Sequence, residues 1–149
     1  MNQELERDQK GFTLVELLVV ISIVGVLMAI SIFGLQGARE SSRDARRKAD
    51  LELIRSGLEL YRSDCNSYPV GSLSTPLVGD DSTSSCSSSN VYVQEVPNDP
   101  SSPARSYLYS SAGLSYELCA SLESDTGDRP TCGSSNNCGE ICNYKAISP

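Results

Sequence analysis

Residues 11–35 read GFTLVELLVVISIVGVLMAISIFGL, and Glu16 is the only charged residue among them. The stretch contains no proline, and Leu, Val and Ile make up most of it. A helix needs about 20 predominantly apolar residues to cross the hydrocarbon core of a bilayer. A secretory signal peptide has a shorter apolar part, about 7 to 15 residues, which ends at a small-residue cleavage site. The stretch therefore predicts a membrane-spanning helix over residues 12–35.

The whole chain has 149 residues, which allows one small domain in addition to this helix. It contains no histidine and carries a formal net charge of −7. The absence of histidine excludes histidine general bases, Ser-His-Asp triads and histidine zinc ligands. Most common catalytic designs are therefore excluded, and the sequence indicates a protein that is not an enzyme.

Charged residues return after residue 38 without a helix breaker, since the next proline is Pro69. In this segment Leu51, Ile54, Leu58 and Tyr61 recur at intervals of three or four residues, which places them on one helix face. Leu53 and Leu60 are expected to widen that face. Residues 36–62 are therefore predicted to form an amphipathic helix. One helix is predicted to run from residue 12 to residue 62.

The last part of the chain, residues 63–149, has the composition of turns and short strands. Strands are predicted at 91–96, 106–110, 114–122 and 143–147, with a hairpin turn at 111–113 and a solvated loop at 79–90. The expected fold class is α+β: a long amino-terminal helix packed on a small antiparallel β-sheet head.

Six cysteines lie in this head, which contains no Phe and no Trp for a large core. Cross-links worth about 2–4 kcal/mol each stabilise such small domains outside the cytoplasm. Without a Cys-x-x-Cys pair or a histidine, zinc is disfavoured. Fifteen pairings remain open for the disulfide candidates, which are Cys65, Cys86, Cys119, Cys132, Cys138 and Cys142.

The charges around the apolar run conflict with a head that lies outside the cytoplasm. Two basic residues precede the run, Arg7 and Lys10, and five follow it, Arg39, Arg43, Arg46, Arg47 and Lys48. The positive-inside rule would place the head in the cytoplasm. We give the cysteines and the amino-terminal motif more weight and place the head outside.

The motif Gly11-Phe12-Thr13-Leu14-Val15-Glu16, after a short charged leader, resembles the class III signal of type IV pilins and type II secretion pseudopilins. The resemblance implies that a prepilin peptidase removes residues 1–11 and that the new amino terminus is N-methylated at Phe12. It also implies an inner-membrane assembly platform and other pilin subunits as partners. The expected function is a structural subunit of a type IV pilus-like filament, with a type II secretion pseudopilin as the alternative and a membrane-anchored monomeric adhesin as a third hypothesis.

Under this interpretation the protein starts as a single-pass protein of the cytoplasmic membrane, in contact with lipid. It then becomes part of an extracellular pilus or of a periplasmic or cell-wall pseudopilus.

The position of Glu16 needs a physical explanation, because a carboxylate beside hydrocarbon costs about 2.5–3.5 kcal/mol on insertion scales. Cleavage after Gly11 would create a positive amine at Phe12, and the amine of a neighbouring subunit could pair with Glu16 and set the register of assembly. The alternative is a capping box formed by Thr13 and Glu16 at the helix start.

The likeness continues at 38–61, 64–69 and 96–100, and more weakly at 107–109 and 116–118. Many pilins have a proline in the second half of the apolar run, which this chain lacks. Residues 104–106 also lack the aromatic-glycine pair that secretion pseudopilins tend to have after Asp-Pro, which favours a pilus.

Two further sites are weaker hypotheses. Major pseudopilins hold calcium in a loop near the position of residues 123–128, so Asp125 and Asp128 are calcium candidates, although an acidic surface loop is the usual explanation for such residues. No other metal or cofactor is expected. DNA is a candidate partner for the basic cluster, whose acidic neighbours favour a solvated or subunit-contacting helix face. That cluster consists of Arg43, Arg46, Arg47 and Lys48.

Overall fold

The computed structural model describes residues 11–125, 127, 130–133, 135 and 137–149. A single helix, α1, extends over Leu14–Cys65, which confirms the prediction of one continuous helix and extends its end by three residues. Short antiparallel strands follow it, so the predicted α+β class is confirmed. The chain divides into two compact units, one ending at Ala38 and one spanning Arg39–Pro149.

The first unit contains the apolar part of α1. The large apolar side chains that the structure describes there are between 42% and 79% exposed, and by length and composition the helix is able to cross a membrane. The hydroxyls of Ser22 and Ser31 donate to the carbonyls of Val19 and Leu27, at 2.7 and 2.9 Å. These polar groups are therefore satisfied inside the helix, as a bilayer requires.

The end of α1 is capped by residues of the second unit. Asn66 has a left-handed φ of 58° and its N–H donates to the carbonyl of Arg62 at 2.9 Å. This is the usual way in which an asparagine ends a helix. The hydroxyls of Thr83 and Ser85 donate to the free carbonyl of Asp64, at 2.7 and 2.8 Å. The segment predicted as a solvated loop thus holds the helix end.

Five strands form two small sheets in the second unit. β1 (Leu77–Val78) pairs with β2 (Val91–Val93), and β3 (Leu108–Ser111), β4 (Tyr116–Ala120) and β5 (Tyr144–Ile147) form an antiparallel sheet in that order. Tyr109 lies opposite Leu118, and Glu117 opposite Ile147.

The strand predictions located four of these strands but not their bounds, and they missed β1. β2 ends at Val93, three residues before the predicted end at residue 96. The predicted hairpin between β3 and β4 is confirmed, but its connection covers residues 112–115 and not 111–113, because Ser111 belongs to β3 and pairs with Tyr116. Gly113, with a φ of 91°, supplies the turn conformation inside the longer connection.

The buried face of α1 packs against side chains of the β3–β4–β5 sheet. Leu51, Ile54, Leu58 and Tyr61 are all almost fully buried, which confirms the predicted face, and they share one cluster with Leu118. The prediction for Leu53 and Leu60 is wrong, since 52% and 58% of these residues stay exposed. Leu53 is two residues from Leu51, and two residues turn a helix by about 200°, which moves the side chain to the opposite side.

The structure pairs all six cysteines, as Cys65–Cys86, Cys119–Cys132 and Cys138–Cys142. The sulfurs of the first pair also lie close to the carboxylate of Asp80. Because those sulfurs are bonded to each other, they are not thiolate ligands for a metal. The presence of disulfides agrees with the sequence prediction, and the structure selects one pairing from the fifteen.

Gly57 allows β2 to lie directly against α1. A Cβ at this position would be 2.1 Å from Cγ2 of Val93 and 3.4 Å from the carbonyl oxygen of Tyr92. Val93 is buried, and a β-branched side chain has few other rotamers. The close approach therefore depends on the missing side chain.

We expect Gly57→Ala to lower the free energy of unfolding by about 1–2 kcal/mol, since overpacking outweighs the gain in helix propensity. Urea unfolding of the full chain in detergent micelles measures this. Val93→Ala removes the clashing methyl, so Gly57→Ala should cost much less in that background. Equal costs in both backgrounds would show that the contact is not the cause.

Candidate functional site

The amino-terminal motif lies at the start of the described residues. Gly11, Phe12 and Thr13 precede α1 and are exposed, and 79% of Phe12 is accessible. Among the described residues, none apart from the chain neighbours of Gly11 has a heavy atom within 4 Å of a Cβ built on Gly11. The described residues thus leave the peptide bond after Gly11 unobstructed, while residues 1–10 of the predicted leader lie outside the described part.

Glu16 lies in the first turn of α1, four residues after Phe12. Its backbone N–H donates to the Thr13 side-chain oxygen at 3.2 Å, so Thr13 caps the helix and makes one of the two hydrogen bonds of the capping box in the alternative hypothesis. This contact uses the main chain of Glu16 and leaves the carboxylate exposed. Pairing of that carboxylate with the Phe12 amine of another subunit stays a prediction.

The basic stretch of α1 is organised around Arg47, whose side chain is completely buried. Its guanidinium donates to both carboxylate oxygens of Asp99 at 2.8 and 3.1 Å and to Asp44 at 2.7 Å. It also contacts the Ser101 hydroxyl at 3.0 Å and the Glu123 carboxylate at 2.8 Å. The placement of Arg47 on a solvated helix face is therefore wrong.

Two more contacts hold the segment after β4 on the helix. Arg43 binds the Glu123 carboxylate through two nitrogens, with Nε 2.8 Å from one oxygen. The backbone N–H groups of Glu123 and Ser124 donate to the two oxygens of Asp44, each at 2.8 Å, and the Ser124 hydroxyl donates at 2.5 Å. We call Arg43, Asp44, Arg47, Asp99 and Glu123 the ion cluster.

The ion cluster favours the ionised forms of Asp44 and Glu123. Burial disfavours the charged form of Asp44, but hydrogen bonds from Ser124, Glu123 and Arg47 outweigh it and lower the pKa of Asp44 to about 2. The hydrogen bond from Arg43, assisted by Arg47, lowers the pKa of Glu123 to about 2 against the opposing effect of burial. Although burial opposes charge on Arg47, its three carboxylate partners raise the pKa of the guanidinium.

The remaining members of the basic cluster are exposed. Arg46 keeps 66% of its side chain in solvent and lies 3.9 Å from Asp50, while the Lys48 ammonium is 5.6 Å from the centre of the Tyr144 ring. Because Arg43 and Arg47 bind carboxylates, two of the four proposed DNA-contacting cations are already neutralised within the head.

Two carboxylates of the loop proposed for calcium already have partners within the head. Glu123 is engaged by two arginines, and the Asp125 carboxylate accepts the N–H of Gly127 at 2.8 Å. Asp128 lies outside the described residues.

Sequence reasoning did not identify the ion cluster as a unit. Its local signal was the Asp44 and Arg47 pair, spaced three residues apart on one helix face. Asp99 lies 52 residues away from Arg47 in the chain, in a loop that only the folded head brings to the helix.

We expect Arg47→Met to cost about 3–5 kcal/mol of unfolding free energy, because it leaves the buried carboxylates of Asp44 and Asp99 without their cation and Glu123 with Arg43 alone. Arg46→Met is the matched control on the same helix. It removes one exposed pair and should cost less than about 1 kcal/mol. Urea unfolding of both full-length variants checks the difference, and similar losses would show that burial of the guanidinium does not matter.

The pKa directions predict acid sensitivity of the head. Asp44 and Glu123 have lower pKa values folded than unfolded, so their stabilisation is complete above pH about 5 and is lost as pH falls from about 4 to about 2. Between pH 5 and pH 2, unfolding free energy should fall by about 2–4 kcal/mol. Asp44→Asn should show a shallower loss over this range, and an unchanged slope would contradict the assignment.

Comparison with known proteins adds an independent line of evidence. Residues 7–32 match the model of the prokaryotic N-terminal methylation motif, and residues 35–142 match that of type II secretion system protein G. The chain is 31% identical over 100 residues to the type II secretion system core protein G of Dickeya chrysanthemi. This alignment covers 64% of the chain and 65% of the relative, somewhat less than two thirds of its length.

Of two other relatives, one is named as a type II secretion protein and one as a type IV pilus component. The core protein G of Aeromonas hydrophila is 28% identical over 99 residues, covering 64% of the chain and 69% of the relative. The type IV wide pilus major component of Thermus thermophilus is 44% identical over 62 residues, covering 42% of the chain and 47% of the relative. No solved structure shows significant similarity to the chain. Because the protein G model covers more than half of its residues, the chain belongs to the type II secretion system protein G family and carries an N-terminal methylation motif.

Proposed function

We propose that the chain is a structural subunit of a type IV pilus-like filament, assembled from membrane-anchored monomers. The observation that carries the proposal is the apolar part of α1, which directly follows the methylation motif and exposes large apolar side chains along its length. Such a surface is stable in lipid or among copies of itself, and unstable in water. A filament whose core consists of these helices surrounds each of them with copies of itself.

The first steps of assembly follow from the motif. A prepilin peptidase removes residues 1–11, and N-methylation of Phe12 follows. The monomer waits in the cytoplasmic membrane with its head outside, where an oxidising environment supports the three disulfides. An inner-membrane assembly platform then moves the helix from lipid into the filament.

The alternative is a pseudopilin of a type II secretion system, and the protein G family and most of the relatives described favour it. The pilus component of Thermus thermophilus favours the first candidate. Both candidates assign the same roles to Phe12 and Glu16. They differ in whether the filament reaches the cell surface, which electron microscopy of intact cells distinguishes.

The proposal assigns a structural role and no catalytic one, in keeping with a family of secretion and pilus subunits. It needs no cofactor for assembly. Calcium at Asp125 and Asp128, and DNA at the exposed Arg46 and Lys48, would be additions to the filament and not conditions for it.

Glu16 provides the test of assembly. We expect Glu16→Ala to lower the yield of sheared filaments about tenfold or more, while the amount of protein in the membrane stays the same. The substitution leaves the Phe12 amine of the neighbouring subunit without a carboxylate in the packed core, so the register contact is lost. Glu52→Ala is the matched control, since it removes an exposed carboxylate from the same helix.

Immunoblots of sheared and membrane fractions measure both quantities. Wild-type filaments with a normal yield from Glu16→Ala would contradict the role of Glu16. A chain that stays monomeric and uncut in the membrane would support the third hypothesis, a membrane-anchored adhesin.

A further inference from the structure

The segment that follows β4, residues 121–125, is bound by the side-chain amide of Asn143. The Oδ1 atom of Asn143 accepts the N–H of Leu122 at 2.6 Å. Its Nδ2 group donates to the carbonyl of Leu122 at 2.9 Å and also to the carbonyl of Asp125. One amide therefore uses both its acceptor and its donors on the main chain of this segment, at two points three residues apart.

Arg105 binds the start of the same segment. Its Nη1 atom donates to the carbonyl oxygen of Ser121 at 2.9 Å and to the hydroxyl of Ser121 at 3.1 Å. Ser121 is buried, so these two oxygens need partners within the protein. Arg105 supplies both from a position 16 residues away in the chain. We call Arg105 and Asn143 the brace.

The oxygens of this segment are the type of ligand that calcium needs, but they already accept hydrogen bonds. Calcium takes about six to eight oxygen ligands. The carbonyls of Ser121, Leu122 and Asp125 accept from the brace, and the carboxylate of Glu123 accepts from the arginines of the ion cluster. A cation bound to the carbonyls of Leu122 and Asp125 would compete with the amide of Asn143. The donor set therefore does not fit calcium.

The cavity beside the segment already contains a positive charge. It has a volume of about 210 Å³, and its lining includes Arg105, Asp125, Glu140 and Asn143. Asp125 and Glu140 are exposed and attract cations, but the guanidinium of Arg105 shares the cavity and repels them. A guanidinium keeps its charge at any pH that a protein meets, and it is always present, whereas a bound ion depends on the concentration of free ions.

We propose that the brace takes the place of a bound calcium ion in this head, so that residues 121–125 keep their position without a divalent cation. Arg105 and Asn143 are positioning residues, because the segment that they bind brings Glu123 and Ser124 to Asp44 of the ion cluster. The head then keeps its structure at any calcium concentration. This inference concerns the head alone and does not depend on whether the chain forms filaments.

Hydrogen–deuterium exchange of the full chain in detergent micelles tests the inference. The N–H groups of Leu122, Glu123 and Ser124 all donate to side chains, so their exchange reports whether the segment is in place. In the wild type, their exchange in excess EDTA and in about 2 mM calcium chloride should differ by less than about twofold. Slower exchange with calcium, by about twofold or more, would overturn the proposal.

Asn143→Asp removes the N–H donors of the brace and keeps an oxygen acceptor in the same place. It should speed the exchange of residues 121–125 in EDTA about tenfold or more, because two carbonyls lose their donor and face a carboxylate. Asn137→Asp is the matched control, since Asn137 is exposed and its Oδ1 accepts the N–H of Gly139 at 2.9 Å, which Asp also accepts. Equal exchange of the segment in the two variants would overturn the role of Asn143.

Calcium distinguishes the replacement of a cation from a merely structural contact. Calcium at about 2 mM should slow the exchange of Asn143→Asp again, because only this variant places a carboxylate beside two carbonyl oxygens. It should leave Asn137→Asp unchanged. An equal calcium effect in the two variants would show that the amide does not lie where a cation would bind.

Arg105→Met tests the other half of the brace and decides the question if Asn143→Asp does not fold. It should speed the exchange of residues 121–125 about fivefold or more, because the oxygens of Ser121 lose their donor. Arg46→Met, the exposed control on α1, should leave this exchange unchanged. Equal exchange in these two variants would overturn the proposal.

Discussion

The apolar part of α1 has to be kept out of water, and the rest of the structure is compatible with two ways of doing so. Its large side chains expose between 42% and 79% of their surface within a single chain, and its serine hydroxyls are bonded to the helix itself. Neither lipid nor a neighbouring apolar helix has to supply hydrogen bonds to this surface. Because the two environments are chemically similar, transfer between them needs little rearrangement of the helix.

The head uses one face of the same helix and leaves the other free. Leu51, Ile54 and Leu58 are buried against the sheet, and Arg47 binds three acids that come from the helix and from two distant loops. A buried cation with three carboxylates specifies how those loops lie on the helix, at the expense of desolvation. On the opposite side of this part of the helix, Leu53 and Leu60 are exposed.

The fold was predictable where a periodic pattern determines it. The interval of three and four residues at Leu51, Ile54 and Leu58 identified the buried face, and the lack of helix breakers before Pro69 identified one continuous helix. Interactions between residues distant in the chain were not predictable: the fate of Arg47 depends on Asp99, and the disulfide pairing depends on the loop that brings Cys86 to the end of α1. The motif at Gly11 and Phe12 pointed to the family because it is local.

We propose that the helix, once freed from its leader, exchanges lipid for copies of itself. The mass of the amino-terminal peptide in material sheared from cells tests it most directly. A peptide that begins at Phe12 and carries one added methyl group, recovered from filaments, is the result we expect. A peptide that begins at Met1, recovered only from the membrane fraction, would contradict the account.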